Sequence, residues 1–134
     1  PGALAAAAKN TNNYRGRWAA RMLKLQAAGN LPKTYPYPMQ CWRLGDLTWL
    51  AMGGEVVVDF SIKFKKMFGP KTWVTSYAND VMAYIPSLRV LTEGGYEGHT
   101  SMAVYGVPAD RWKPNVEDLV TYAAKKLVEE TKGE

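Results

Sequence analysis

The spacing of apolar residues predicts that the first third of the chain is a helix followed by an extended connector. Apolar side chains recur every three or four positions between residues 14 and 25, and Asn12 and Asn13 offer an N-cap. Gly29 and Asn30 are typical of the end of such a helix. Residues 31–38 contain three prolines, which fix φ and remove amide donors, so this stretch is predicted to be extended.

A β-hairpin is predicted over residues 39–52. Two runs of strand-like composition flank Gly45 and Asp46, a two-residue turn of the kind that hairpins favour. The second run is largely apolar, which indicates a strand buried on both faces.

A helix and a third strand are predicted after Gly53 and Gly54. Glu55 is expected to begin the helix, whose apolar face continues to Phe68 before a Gly-Pro stop. Residues 72–77 then have strand composition.

The last part of the chain is predicted to be irregular and then helical. Residues 79–98 mix glycine and proline with polar and aromatic side chains, which is typical of loops that carry function. Residues 100–107 fit a strand or a short helix, and Asn115 is expected to cap a final helix. The predicted fold class is therefore α/β, with a small mixed sheet, made of the hairpin plus further strands, and flanking helices.

Composition agrees with a single domain spanning residues 1–134. The chain is 47% apolar and 22% charged, as globular proteins are. One cysteine, Cys41, and one histidine, His99, cannot by themselves form a disulfide or a structural zinc site. The signatures of serine hydrolases, zinc proteases, P-loop enzymes and dinucleotide-binding enzymes are absent from the sequence, which disfavours a self-contained enzyme.

Positive charge is concentrated near the start of the chain. Residues 1–50 hold seven basic residues and one acid, whereas the remainder holds ten basic residues and eleven acids. Arg15, Arg17, Arg21 and Lys24 fall on the first predicted long helix, which we call the basic helix. Such a face can bind an anionic lipid or a nucleic acid. The sequence lacks spaced aromatics and a Gly-rich phosphate loop beside it, so no nucleic-acid partner is predicted.

Candidate chemistry lies at the ends of the predicted elements, where α/β proteins build their sites. Glu55 follows a Gly-Gly turn, and Tyr84 and Tyr96 lie in the predicted irregular region. A carboxylate in a first helical turn also complements the helix dipole, and buried tyrosines commonly pack with the hydroxyl tied to the backbone. From these residues alone, the structural interpretation of Glu55 is favoured over a functional one.

Three short motifs together resemble the neutral/alkaline, non-lysosomal ceramidases. They are Gly54-Glu55, the stretch Asn79-Asp80-Val81-Met82-Ala83-Tyr84-Ile85, and Gly95-Tyr96-Glu97-Gly98 with Thr100-Ser101 after it. The order and spacing resemble the C-terminal part of the catalytic domain in the shorter bacterial members, over about residues 38–106. The resemblance implies that the chain is the C-terminal segment of a larger α/β hydrolytic domain.

The resemblance also implies a zinc site and a reaction. Glu55 and Tyr84 would be metal ligands, and Tyr96 would be a catalytic hydrogen-bond donor near the reacting amide. Two further histidine ligands of the family have no counterpart here, and His99 is not assigned to the metal. The implied activity is hydrolysis of an N-acyl amide such as ceramide to a fatty acid and an amine, with the isolated chain inactive and metal-free.

Partners and compartment follow from the same resemblance. The expected partners are the remainder of the catalytic domain, a lipid amide substrate and a peripheral contact with membranes. The expected location is secreted, periplasmic or membrane-associated. The alternative is a non-catalytic binding or scaffolding module that uses the basic helix as its contact surface.

Overall fold

The computed structural model describes residues 2–132 and confirms the mixed α/β class. The helices are α1 (Gly2–Ala8), α2 (Tyr14–Ala27), α3 (Val58–Phe68), α4 (Leu88–Glu93), α5 (Ser101–Tyr105) and α6 (Val116–Glu130), with a π-helical segment at Tyr96–Thr100. The strands are β1 (Met39–Leu44), β2 (Leu47–Met52), β3 (Glu55–Val56), β4 (Thr72–Thr75) and β5 (Tyr84–Ile85).

Helix α2 begins and packs as its sequence predicts. The Asn13 side chain accepts a hydrogen bond from the backbone N–H of Gly16 at 2.8 Å and caps the helix. Ala19 and Met22 are buried, and the helix packs against α5. The predicted N-cap residue of α6, Asn115, is also correct, although its side chain makes no capping hydrogen bond.

The strands form two small sheets. Strands β1 and β2 are the predicted antiparallel hairpin, and β4 pairs with β2 in parallel to give the order β1-β2-β4. Strands β3 and β5 form a separate two-stranded parallel sheet. A parallel pair requires a long crossover, and here α3 and β4 lie between the two strands.

The two faces of the three-stranded sheet are buried to different extents. Leu50 and Met52 point into the core and are fully buried. On the other face Trp42, Trp49 and Trp73 lie side by side in register across the three strands. Trp42 is 53% exposed and Trp73 is 61% exposed, but on β2 itself Trp49 is partly buried and Ala51 is buried, so β2 is buried on its inner face and partly covered on its outer face.

Glu55 belongs to a strand, so the prediction that it begins a helix is wrong. Its backbone N–H donates to the carbonyl of Ala83, and the N–H of Val57 donates to the carbonyl of Ile85. These bonds hold the chain extended, as the β-branched run from Val56 favours. Helix α3 starts only at Val58, and the dipole interpretation of Glu55 therefore falls away.

The region predicted to be irregular is more ordered than expected. Residues 79–98 contain β5, α4 and the start of the π-helical segment. Ser87 caps α4, because its hydroxyl accepts the backbone N–H of Val90. The next stretch, left open as a strand or a helix, is helix α5.

The core joins α3, β2, β5 and α6. Its largest fully buried side chains include Phe60, Phe64, Leu50, Met52 and Ile85. Consecutive aromatic rings of α3 touch, with centroids 5.8 Å apart for Phe60 and Phe64. Among the described residues, no helix combines the length and apolar character needed to cross a bilayer.

Candidate functional site

The β3–β5 pair brings two of the three candidate residues together. Glu55 and Tyr84 are direct register partners, although 28 residues separate them in sequence. The backbone N–H of Gly54 donates to the carbonyl of Asp80 at 2.7 Å, and the N–H of Glu55 donates to Ala83 at 2.8 Å. Backbone hydrogen bonds thus hold the Gly-Glu turn against the segment that leads into β5.

Ser76 and the connector hold the same turn from the other side. The Ser76 hydroxyl accepts the N–H of Val56 at 2.7 Å and donates to the carbonyl of Gly54 at 2.9 Å. Tyr37 of the connector donates to the carbonyl of Gly53 at 2.8 Å. The proline-rich connector therefore supports the site directly rather than only linking α2 to the hairpin.

Three tyrosines lie near the Glu55 carboxylate. Tyr105 donates to its Oε2 atom at 2.5 Å, and Tyr77 and Tyr84 line the same cavity as Glu55. Hydrogen bonds to a charged acceptor are stronger than those between neutral groups. The cluster therefore favours an ionised carboxylate ringed by neutral phenols.

The pKa directions agree with this arrangement. Partial burial raises the pKa of Glu55, but the hydrogen bond from Tyr105 and the nearby hydroxyls of Tyr77 and Tyr84 outweigh this effect and leave the pKa below its ordinary value. Hydrogen bonding to Glu55 raises the pKa of Tyr105 to about 12, and the same interaction raises the pKa of Tyr84. At neutral pH the carboxylate therefore carries the negative charge of the cluster.

Tyr96, the third candidate, lies beside Tyr84. Their ring centroids are 5.7 Å apart in an edge-to-face arrangement. Tyr96 opens the π-helical segment and is 51% exposed. Such π-helical turns occur frequently at functional sites. All three residues named by the resemblance therefore lie within one cluster.

A cavity of about 270 Å³ opens next to the cluster. Glu55, Tyr77 and Tyr84 line it, together with Glu97 and the valines that follow Glu55. The wall thus combines ionisable oxygen atoms with apolar side chains. A larger groove of about 700 Å³ lies elsewhere, between the connector and α6, and contains none of the three candidate residues.

Sequence reasoning missed Tyr77 and Tyr105. Tyr77 has φ of 62°, a left-handed conformation that is uncommon for a bulky residue and is found at functional sites. Nothing in the sequence marks this conformation. Tyr105 follows Tyr96 by nine residues, and only the fold of the π-helical segment and α5 brings it back to Glu55.

The oxygen donors fit part of a zinc site. A carboxylate and a tyrosine oxygen on neighbouring strands are compatible with a mixed nitrogen and oxygen ligand shell. Within residues 2–132, no group of three or more histidine, cysteine, aspartate or glutamate side chains is arranged to hold a metal ion. His99 belongs to the same π-helical segment as Tyr96, and its Nε2 atom lies 3.8 Å from Oδ2 of Asp110.

A second polar cluster links α3 to α4 at the edge of the same cavity. Asp59 accepts two hydrogen bonds from Arg89, at 3.0 and 3.1 Å, and one from the Ser87 hydroxyl at 2.5 Å. These interactions, led by those of Arg89, hold the pKa of Asp59 below its ordinary value of 3.8. This ion pair ties the helix that follows Glu55 to the helix that follows Tyr84.

We expect the stabilising effect of Asp59 to depend on pH. Because its pKa is depressed in the folded state, its contribution is fully present above the unfolded-state value near 3.8 and is lost as the pH falls through the folded-state value. The difference in the free energy of unfolding between wild type and Asp59→Asn should therefore shrink between pH 5 and pH 2. Urea unfolding at several pH values measures it. Asp118→Asn, at an exposed position of α6, is the control, and an equal pH dependence for both variants would contradict the assignment.

Two arginines of the basic helix make hydrogen bonds within the protein. The Arg21 guanidinium donates to the carbonyl of Gly106 at 3.1 Å, and that of Arg17 donates to the carbonyl of Thr11 at 3.2 Å. Arg15 and Lys24 are exposed. A role of this helix as a contact surface remains a prediction.

Comparison with known proteins found no matching family model, no matching curated protein and no matching solved structure.

Proposed function

We propose that the chain is the C-terminal portion of a zinc-dependent amidohydrolase that resembles neutral ceramidase. The observation that carries the proposal is the pairing of Glu55 with Tyr84 on β3 and β5, with the Tyr96 ring 5.7 Å from that of Tyr84. The resemblance implies that these three residues belong to one zinc site. Their convergence from three separate segments supports a common role.

Each residue has a distinct part in the proposed reaction. Glu55 stays ionised because phenols hydrogen-bond to it, so its carboxylate is ready to bind a cation. Tyr84 supplies a second oxygen ligand from the neighbouring strand. When bound, a zinc ion acts as a Lewis acid toward the amide carbonyl and the attacking water. Tyr96 donates a hydrogen bond to the oxygen that gains negative charge.

The overall reaction is hydrolysis of one amide C–N bond. Water supplies a hydroxyl group to the carbonyl carbon and a proton to the departing amine, giving a carboxylic acid and an amine. The valines along the cavity offer apolar contact for part of a lipid amide such as ceramide. The proposed partners are thus the remainder of the catalytic domain, which would supply the histidine ligands, a lipid amide and a membrane surface.

The proposal is tested by metal content in the protein purified from its full reading frame. We expect about one zinc ion per chain in wild type and a loss of affinity of more than about 100-fold in Glu55→Gln and Tyr84→Phe, because each removes a ligand. Glu97→Gln is the matched control, since Glu97 lines the same cavity and is assigned no ligand role. Undiminished zinc in both ligand variants would overturn the proposal.

The coding sequence upstream of Pro1 separates the two functional classes. An in-frame region with two metal-binding histidines is expected for the hydrolase. An initiator methionine directly before Pro1 would favour the alternative, a binding or scaffolding module, which the exposed Arg15 and Lys24 on α2 support.

A further inference from the structure

Tyr105 contacts both proposed ligands of the metal. It is the last residue of α5, and its hydroxyl donates to Oε2 of Glu55 at 2.5 Å. Its ring also meets the ring of Tyr84 edge to face, with centroids 6.0 Å apart and planes at 78°. One side chain from the C-terminal half of the chain therefore touches both members of the β3–β5 pair.

We propose that Tyr105 is a positioning residue that orients the Glu55 carboxylate for metal binding. This inference rests on the proposed function. A carboxylate has two oxygen atoms, and the phenol of Tyr105 engages Oε2. That hydrogen bond restrains the rotation of the carboxylate, and in the proposed site Oε1 is the oxygen that binds the cation. Outer-shell hydrogen bonds of this kind commonly orient metal-binding carboxylates.

The surroundings of Tyr105 suit it for this task better than those of Tyr77. Tyr105 is half-buried and packs against the hydrophobic core. Tyr77 is 54% exposed and lies in a loop. A side chain that is held by packing can direct a partner, whereas an exposed one adjusts to it.

Helix α2 holds the chain immediately after Tyr105. The indole N–H of Trp18 donates to the carbonyl of Val107 at 2.7 Å, and the Arg21 guanidinium donates to the carbonyl of Gly106 at 3.1 Å. These two bonds come from one face of α2 and reach two consecutive residues. The basic helix therefore supports the end of α5 from which Tyr105 reaches Glu55.

Zinc affinity in the protein from its full reading frame tests this role. We expect Tyr105→Phe to weaken zinc binding by about 10-fold or more, measured by competition with a chelator, because outer-shell partners contribute 10–100-fold. The matched control is Tyr122→Phe, which makes the same change at an exposed site on α6 and should leave the affinity unchanged. A variant with p-aminophenylalanine at position 105 restores a donor at the same place and should recover most of the affinity.

The outcomes separate this inference from the proposed function. If Glu55→Gln loses zinc but Tyr105→Phe binds it as wild type does, the positioning role is wrong and the proposed function stands. If Glu55→Gln and Tyr84→Phe both keep zinc, the proposed function fails and this inference fails with it.

Stability is checked by urea unfolding of each variant. Should Tyr105→Phe be less stable, Arg21→Ala provides the second test, because it loosens the chain after Tyr105 while keeping the phenol. A loss of zinc affinity smaller than that of Tyr105→Phe is then expected, and wild-type affinity in Arg21→Ala, without recovery by p-aminophenylalanine at position 105, would overturn the inference.

Discussion

Gly54→Ala is expected to lower the free energy of unfolding by about 2–5 kcal/mol. Gly54 has φ of 70°, which disfavours any residue with a Cβ atom. An added Cβ would also lie 2.7 Å from the carbonyl oxygen of Ala83 and 2.8 Å from a side-chain carbon of Ile85. Both neighbours belong to the segment that pairs with β3, so the clash forces the two-stranded sheet apart.

Gly29→Ala is the matched control for this prediction. Gly29 has the same φ of 70°, but an added Cβ meets nothing within 4 Å. Its expected cost is only the conformational part, about 1–2 kcal/mol. Urea unfolding of both variants isolates the contribution of close packing at the Gly-Glu turn. Equal losses of stability would show that β3 and β5 are not as tightly apposed as described.

Phe64→Ala is expected to cost about 3–5 kcal/mol, because it removes a large aromatic side chain from the core. Phe64 is fully buried in α3, and its ring lies between those of Phe60 and Phe68, at centroid distances of 5.8 and 5.7 Å. The cavity that remains is enclosed by α3 and its neighbours and has little freedom to collapse. Thermal and urea unfolding both measure the loss.

Ile62→Ala provides the comparison on the same helix. Ile62 is 50% exposed, so truncating it should cost less than about 1 kcal/mol. A loss for Phe64→Ala as small as that for Ile62→Ala would mean that the apolar face of α3 is not the packed face.

The elements predicted correctly from the sequence are those with a clear local signal. Helix α2 has its Asn13 cap and its repeating apolar face, and the hairpin has its turn at Gly45. The short strands β3 and β5 have two residues each, too few to show any periodicity. Their pairing depends on backbone hydrogen bonds across a long stretch of sequence, which local patterns do not contain.

The candidate site was predictable only in part. Glu55, Tyr84 and Tyr96 were candidates because they lie at the ends of predicted elements, but only the resemblance implied that they share a site. No local sequence pattern singles out Tyr105, because its contact with Glu55 forms only when the fold brings α5 next to the Gly-Glu turn.

The row of indoles across the outer face of the three-stranded sheet makes the intrinsic fluorescence of the protein sensitive to that face. Trp42, Trp49 and Trp73 are three of the five tryptophans in the chain. Indole emission shifts to shorter wavelength when the ring leaves water. Intrinsic fluorescence of this protein is therefore weighted toward one surface of the sheet, and it responds to whatever covers that surface as well as to unfolding of the interior.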